Sequence, residues 1–401
     1  MRPTIIGYGR TRFGELYEKS PEDLIEEAGL KALDSAGVER RDIEYCFLSD
    51  YFLQLTNKIG IEEGFMSELL ELHVPMEKCR SFSSALFSAY NAIMAGRCRI
   101  ALVGGVEKLT DRWDKIRDDL MILEDPWSYY AGGSPEANHE LMLKLYAKEH
   151  RLGPREFDEL LEALGLVAVK NHSWASLNKD AHFHEKKVTL SEVVEARRRD
   201  GRLLGLYDFA PISDGAAAVI LASPDVAAEL CEDPVYVAGF ASATDFISYP
   251  CREDRTGFLA ARLAAERAFK MAGLTRSDVA VAEVYDQSTF MELVALEDLG
   301  LYPRGEAWRW ALDSLRGGRT YKRAEGGELY VNTSGGRKAD GNPLGASGGA
   351  MLIEVAKQLR EEAGPRQVGF ASGARAGLVV EMEGFGTKAY VHLLTREPPV
   401  D

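Results

Sequence analysis

Leu24, Ala28, Leu30 and Leu33 recur near helical spacing and lead to Gly37, a pattern that predicts an amphipathic helix with a glycine at its C-terminal cap. The same design returns with Leu259, Leu263, Ala264 and Phe269 ahead of Gly273. Short, uninterrupted apolar runs lie around these helices. Ile5-Ile6 precedes Gly7-Tyr8-Gly9, Ile100 to Val103 precedes Gly104-Gly105, and Ala216 to Ala222 and Ala389 to Leu394 close later segments. Runs of this length without polar alternation predict strands buried on both faces of a sheet that helices cover.

The two helices belong to a longer repeat. Lys31 to Val38, running on to Asp42-Ile43, matches Arg267 to Leu274, running on to Asp278-Val279, at an offset of 236 residues that Asp50 and Asp286 keep. Ile5-Ile6-Gly7-Tyr8-Gly9 is echoed by Val237-Ala238-Gly239-Phe240 at an offset of 232, so an indel of four separates strand from helix. Each half reads as strand, helix, strand, loop, helix, strand, and the fold class is α/β. The N-terminal half is assigned to 1–111 and 209–230, the C-terminal half to 231–401, and a long insertion to 112–208. The insertion is charged and helix-rich from Glu156 to Lys170, aromatic from Trp127 to Tyr130, and holds five of the seven histidines. Such insertions commonly form lids or binding loops.

Composition adds bounds to this picture. The chain of 401 residues, 46% hydrophobic and 28% charged with 15 prolines, can bury a sizeable core. A net charge of −15 argues against nucleic acid or anionic lipid as partner and leaves room only for a local basic pocket, expected on the insertion. The five cysteines form no close pairs, which fits a reducing, cytoplasmic setting without disulfides. No stretch reaches the roughly 18 apolar residues of a membrane span.

Three segments carry candidate chemistry. Cys79 stands ahead of a helix, flanked by Lys78 and Arg80; helix dipole and cations are expected to lower its pKa from about 8.5 and make a nucleophilic thiolate. Asn332 to Gly349 is glycine-dense and runs into a helix placed at Met351 to Leu359; its glycines would let backbone N–H groups approach a ligand. Glu283 to Thr289 ends a strand in polar residues, where α/β sites usually lie. His182 and His184 lack a third ligand at metal spacing, so no metal site is expected.

Taken in order, seven segments resemble the thiolase superfamily, in the branch of archaeal acetyl-CoA acetyltransferases and sterol-carrier-protein-type thiolases. They are Ile5 to Glu15, the Cys79 helix, Gly105 to Thr110, Lys170-Asn171-His172, Pro211 to Ala218, Glu283 to Asp286, and Asn332 to Gly348. The resemblance implies a five-layered α-β-α-β-α core of two duplicated halves with a lid insertion. It also implies coenzyme A or an acyl-CoA as substrate, no metal in this chain, a homodimeric core and a small zinc-containing OB-fold subunit as partner. Cys79 matches the family nucleophile, 17 residues before Gly96 as in the family pattern. It would accept an acyl group from a 3-oxoacyl-CoA and pass it to coenzyme A.

The other motifs depart from the family. Its Gly-His-Pro reads Gly341-Asn342-Pro343, its His-Asp-Cys-Phe reads Tyr285-Asp286-Gln287-Ser288, and its C-terminal Gly-Gly turn reads Glu383-Gly384. The resemblance therefore assigns catalysis to Cys79, Tyr285 and Asn342, oxyanion or substrate contacts to Gln287, Gly384, Arg80 and Phe82, and coenzyme A contacts to Ser347 and Gly348. A bulky or aryl acyl group fits these changes, and benzoylsuccinyl-CoA thiolases are similar; Arg80 would then meet the succinyl carboxylate. The alternatives are a thiolase-like retro-aldolase that uses Tyr285 on a 3-hydroxyacyl-CoA, and a non-catalytic thiolase-fold subunit.

Overall fold

The computed structural model describes residues 2–370 and 375–398. Eleven strands are described: β1 (Thr4–Arg10), β2 (Tyr45–Ser49), β3 (Met76–Cys79), β4 (Ile100–Lys108), β5 (Asp214–Ala222), β6 (Val235–Thr244), β7 (Val279–Val284), β8 (Tyr321–Lys322), β9 (Glu328–Val331), β10 (Ala376–Glu383) and β11 (Lys388–Thr395). Their order across the sheet is β3-β2-β4-β5-β1-β6-β11-β10-β7-β9-β8. Read outward from the centre, each half repeats the other. β5 lies antiparallel to both β1 and β4, with β2 and β3 parallel to β4 beyond it. β11 lies antiparallel to both β6 and β10, with β7 and β9 parallel to β10 beyond it. The halves join where Thr4 and Ile5 pair with Tyr236 and Val235.

Six helices matter for the site: α1 (Pro21–Ala36), α2 (Phe82–Met94), α3 (Pro154–Ala175), α4 (Leu259–Ala272), α5 (Gly336–Asp340) and α6 (Leu344–Leu359). α1 covers one half of the sheet and α4 the other. α2 and α6 pack on each other between the halves, α6 touching β4 and β5 on one side and β7 and β10 on the other. This is the five-layered α-β-α-β-α core of a duplicated chain. Gly37 and Gly273 end α1 and α4 in the left-handed region, at φ 64° and 65°. Gly7 and Gly239 do matching work at the other end of the repeat: a Cβ on either would collide with Ala36 or Ala272, the last residue of the covering helix. Duplicated close packing explains why the repeat is legible at these small residues.

Leu30 departs from the predicted face. It is exposed, whereas Leu24, Ile25, Ala28, Ala32, Leu33 and Ala36 are buried. At 100° per residue Leu30 points away from the strip that Leu24 and Ala28 begin. The glycine-dense segment also differs from its reading as an extended loop. Gly336–Asp340 is helical, and α6 begins at Leu344, seven residues before the expected start. Between β4 and β5 the insertion is helical, and its longest helix, α3, packs on α5.

Candidate active site

A cavity of about 510 Å³ is lined by residues from both halves and the insertion. That volume suits a small-molecule site. Gln287, Asn342, Leu344 and Gly384 come from the C-terminal half, and Arg117, Glu124, His139, His182, Lys186 and Arg202 from the insertion.

Asn342 sits in the turn between α5 and α6, and buried ion pairs hold that turn. Arg10 grips Asp340 through two bonds of 3.0 Å, Nη1 to Oδ2 and Nη2 to Oδ1. Arg337 donates to Asp340 Oδ2 at 2.9 Å and to the Gly341 carbonyl at 3.1 Å. The Asn342 backbone N–H donates to Ser213 Oγ at 3.2 Å. Its side-chain Oδ1 accepts from the Tyr285 hydroxyl at 3.1 Å and from Ser347 Oγ at 2.8 Å. With two donors on Oδ1, the Nδ2 amide and its two protons are turned to the cavity that Asn342 lines.

Tyr285 follows the last residue of β7 and is buried. Burial first, and the nearby Glu381 carboxylate second, push its phenol above the usual value. It is therefore a hydrogen-bond donor at neutral pH and a poor base. Asp286 accepts from Asn171 Nδ2 at 2.7 Å and from the Arg337 N–H at 2.6 Å, which ties α3 to the start of α5. Gly384 is left-handed at φ 60°, and a Cβ there would strike the Leu123 carbonyl, so a side chain is excluded at this point of the cavity.

Cys79 lies elsewhere. It ends β3 opposite Ser49, its Sγ is 3.7 Å from Ser88 Oγ, and it is outside the residues that line the cavity. The expected cations face away: Lys78 Nζ pairs with Asp50 at 3.1 Å and with Glu62, while Arg80 is 67% exposed and reaches Glu383 Oε2 at 3.5 Å. The start of α2 is taken by the chain's own carboxylates. The Ser83 N–H donates to Glu381 Oε2 and Ser81 Oγ to Glu383 Oε1, both at 2.7 Å. Burial, the largest influence, pushes the Cys79 thiol up, the reverse of the lowering expected from its neighbours in sequence.

A model of the thiolase N-terminal domain matches residues 4–194, and one described as thiolase C-terminal domain-like matches 241–396. The acetyl-CoA acetyltransferase of Methanothermobacter thermautotrophicus is 37% identical over 98% of this chain and 99% of its own. The chain belongs to the thiolase family. A second acetyl-CoA acetyltransferase, from Methanocaldococcus jannaschii, is 33% identical over 98% of both chains, and with relatives so named this thiolase is an enzyme of the acyltransferase kind. Among solved structures, the Ltp2-ChsH2(DUF35) aldolase superimposes with a TM-score of 0.79 at 22% identity, covering 98% of this chain and 97% of its own. A monomeric SCP2-thiolase-like protein from Mycobacterium smegmatis gives 0.74 at 17%, covering 100% and 79%. Both show the thiolase fold.

Within this thiolase the expected site residues divide. Gln287, Asn342 and Gly384 share the cavity wall and Tyr285 stands directly behind Asn342. Phe82, expected at the substrate, is instead fully buried, its ring against Gly349 where α2 crosses α6. Arg80, expected at the succinyl carboxylate, is on the surface and outside the residues that line the cavity. Ser347 and Gly348, expected at coenzyme A, lie inside α6; Ser347 holds Asn342 and Gly348 abuts Glu381. An early helix start turns both inward.

Several cavity residues were not expected there, His182, His139 and Lys338 among them. His182 Nδ1 is 3.0 Å from Ser213 Oγ, and burial, then Lys338, lower its pKa to about 4, so it is neutral. His139 Nδ1 is 2.7 Å from Ser288 Oγ, and burial lowers its pKa to about 3. Lys338 also faces the cavity. The crowding of histidines in the insertion was the available signal. Among the described residues no helix is long and apolar enough to cross a membrane.

Proposed function

We propose that this thiolase is an acyl-CoA C-acyltransferase that cleaves or forms a 3-oxoacyl-CoA. The observation that supports it is Asn342, locked by Tyr285 and Ser347 so that its amide donates into the cavity beside Gln287 and Gly384. A preorganised donor of this kind stabilises a developing oxyanion by roughly 3 kcal/mol. In cleavage, the Cys79 thiolate attacks the 3-carbonyl carbon and the C2–C3 bond breaks. Its electron pair enters the thioester enolate held by Asn342, and C2 takes the proton that the Cys79 thiol gave up. Incoming coenzyme A then accepts the acyl group and Cys79 is released as a thiol. This course requires Cys79 to leave Ser88 and turn to the cavity.

The position of Cys79 favours a second reading, aldol cleavage of a 3-hydroxyacyl-CoA at the Tyr285–Asn342 pair without a thiol. Mass spectrometry of the protein with acyl-CoA separates the two. An acyl adduct on Cys79, together with loss of condensation in Cys79→Ala, supports the transferase; unimpaired condensation in Cys79→Ala removes it. Cleavage of a 3-hydroxyacyl-CoA that survives Cys79→Ala and is lost in Tyr285→Phe establishes the aldolase.

A cavity of about 510 Å³ has room for a bulky or aryl acyl group such as that of 2-benzoylsuccinyl-CoA. Arg117 and Arg202 supply cations from the insertion for the coenzyme A phosphates. We infer a homodimeric core and a small zinc-containing OB-fold subunit, in a cytoplasmic setting. The second subunit named with the Ltp2 aldolase supports the latter partner, and the net charge of −15 speaks against nucleic acid.

A further inference from the structure

We propose that Lys338, with His182 and Lys186, forms a subsite for a carboxylate on the acyl group, so that the substrate is an acyl-CoA bearing a second acidic function. This rests on the acyl-CoA reading above and names its substrate class.

Lys338 is 1% exposed yet lines the cavity. Two other buried lysines have carboxylate partners: Lys170 with Glu292 at 2.7 Å and Lys108 with Asp214 at 2.9 Å. Lys338 has none among the described residues. Its one hydrogen-bond partner there is His172 Nε2 at 3.4 Å, and the Phe183 ring lies 5.4 Å from Nζ. His172 Nδ1 is 3.2 Å from the Lys186 carbonyl, which places the ring proton on Nδ1 and leaves Nε2 as acceptor.

The acids nearest in charge are already engaged. Asp208 is forked by Arg197 at 2.7 and 2.5 Å and bonded by Thr289 at 2.8 Å, and Asp286 is held by Asn171 and the Arg337 N–H. The ammonium thus keeps two protons free of any protein acceptor among the described residues. A buried charge without a partner is unfavourable, and the usual resolution is a counter-ion. The lowering of the Lys338 pKa to about 8, led by burial, agrees with the lack of one. His182 and Lys186 border the same cavity, and Lys186 adds a second cation. Its acids, Glu15, Glu124, Glu136 and Asp200, make no ion pair with Lys338.

Lys338 and Asn342 lie on one short stretch, α5 and the turn after it, so this cationic site adjoins the donors assigned to the thioester. The coenzyme A phosphates are a pantetheine arm away from the thioester. An anion at Lys338 therefore belongs to the acyl group.

Isothermal titration of the full chain with coenzyme A, butyryl-CoA and succinyl-CoA tests this, since the two thioesters share a chain length and differ in a terminal carboxylate. Wild type is expected to bind succinyl-CoA about tenfold more tightly than butyryl-CoA, the worth of one charge-assisted hydrogen bond. Lys338→Met should bring the ratio to near one, and Lys338→Arg should keep a preference. Equal wild-type affinities, a preference that survives Lys338→Met, or equal weakening of all three ligands by that variant would overturn the carboxylate subsite. The first of these is read without any variant. Absence of binding by all three ligands to wild type would overturn the acyl-CoA reading as well.

Discussion

The Tyr285 hydroxyl donates to the Asn342 side-chain carbonyl at 3.1 Å, joining two segments 57 positions apart on the wall of one cavity. Neither side chain titrates near neutral pH in this setting: an amide neither gains nor loses a proton there, and burial holds the phenol protonated. In the acyltransferase reading the pair is a fixed donor, and proton transfer falls to other groups.

Asn342→Ala removes the donor while leaving Tyr285 and Ser347 in place. Turnover should fall roughly 100-fold, the loss seen when one oxyanion donor is deleted. Steady-state kinetics with a 3-oxoacyl-CoA would show the loss in kcat more than in KM. A change confined to KM would mean that Asn342 only binds substrate.

Because burial raises the Cys79 thiol, its thiolate fraction at pH 7 is smaller than that of an ordinary cysteine. Alkylation of Cys79, followed by peptide mass mapping with exposed Cys251 as internal comparison, should be slow at pH 7 and still climbing above pH about 9. An inflection below neutrality would reveal an activated thiolate and a different local structure in solution.

Arg10→Met leaves the Asp340 carboxylate buried with its main partner gone. Arg337 still pairs with Asp340 at 2.9 Å, so the loss should fall below the roughly 3–5 kcal/mol of a fully orphaned buried charge. Denaturant unfolding should register that loss, and since Asp340 holds the Asn342 turn, activity should drop before global unfolding.

Glu381 makes stability depend on pH. Its carboxyl is pushed up to about 7 by burial from an ordinary value of 4.5. The folded chain therefore holds a proton that the unfolded chain releases, and stability is lost as pH rises through that window. Glu381→Gln, which keeps an acceptor for the Ser83 N–H, should raise Tm by several degrees at pH 8 and least at pH 4.5. A uniform shift at both pH values would exclude this account.

The duplication shows how much a single chain discloses. Gly7 with Ala36 and Gly239 with Ala272 are small because strand and helix touch there, and that requirement is local enough to survive as a repeat in the letters. Motif order likewise located Tyr285, Gln287, Asn342 and Gly384 on one site. Leu30 was misplaced because it counts as apolar in a pattern that does not record direction.

By itself, then, the sequence determined the two-fold α/β plan and its capping glycines, since these follow from periodicity and backbone sterics within a few residues, while the segments that meet at the cavity were implied by the thiolase resemblance. Only the tertiary structure decided which way Cys79 points, what occupies the start of α2, and which buried lysine lacks a partner. Those outcomes rest on Glu381 and Glu383, some 300 positions from Ser83 and Ser81, and on the carboxylates that Lys338 does not reach. Electrostatics in a buried site is set by neighbours in space, and no spacing along the chain encodes them.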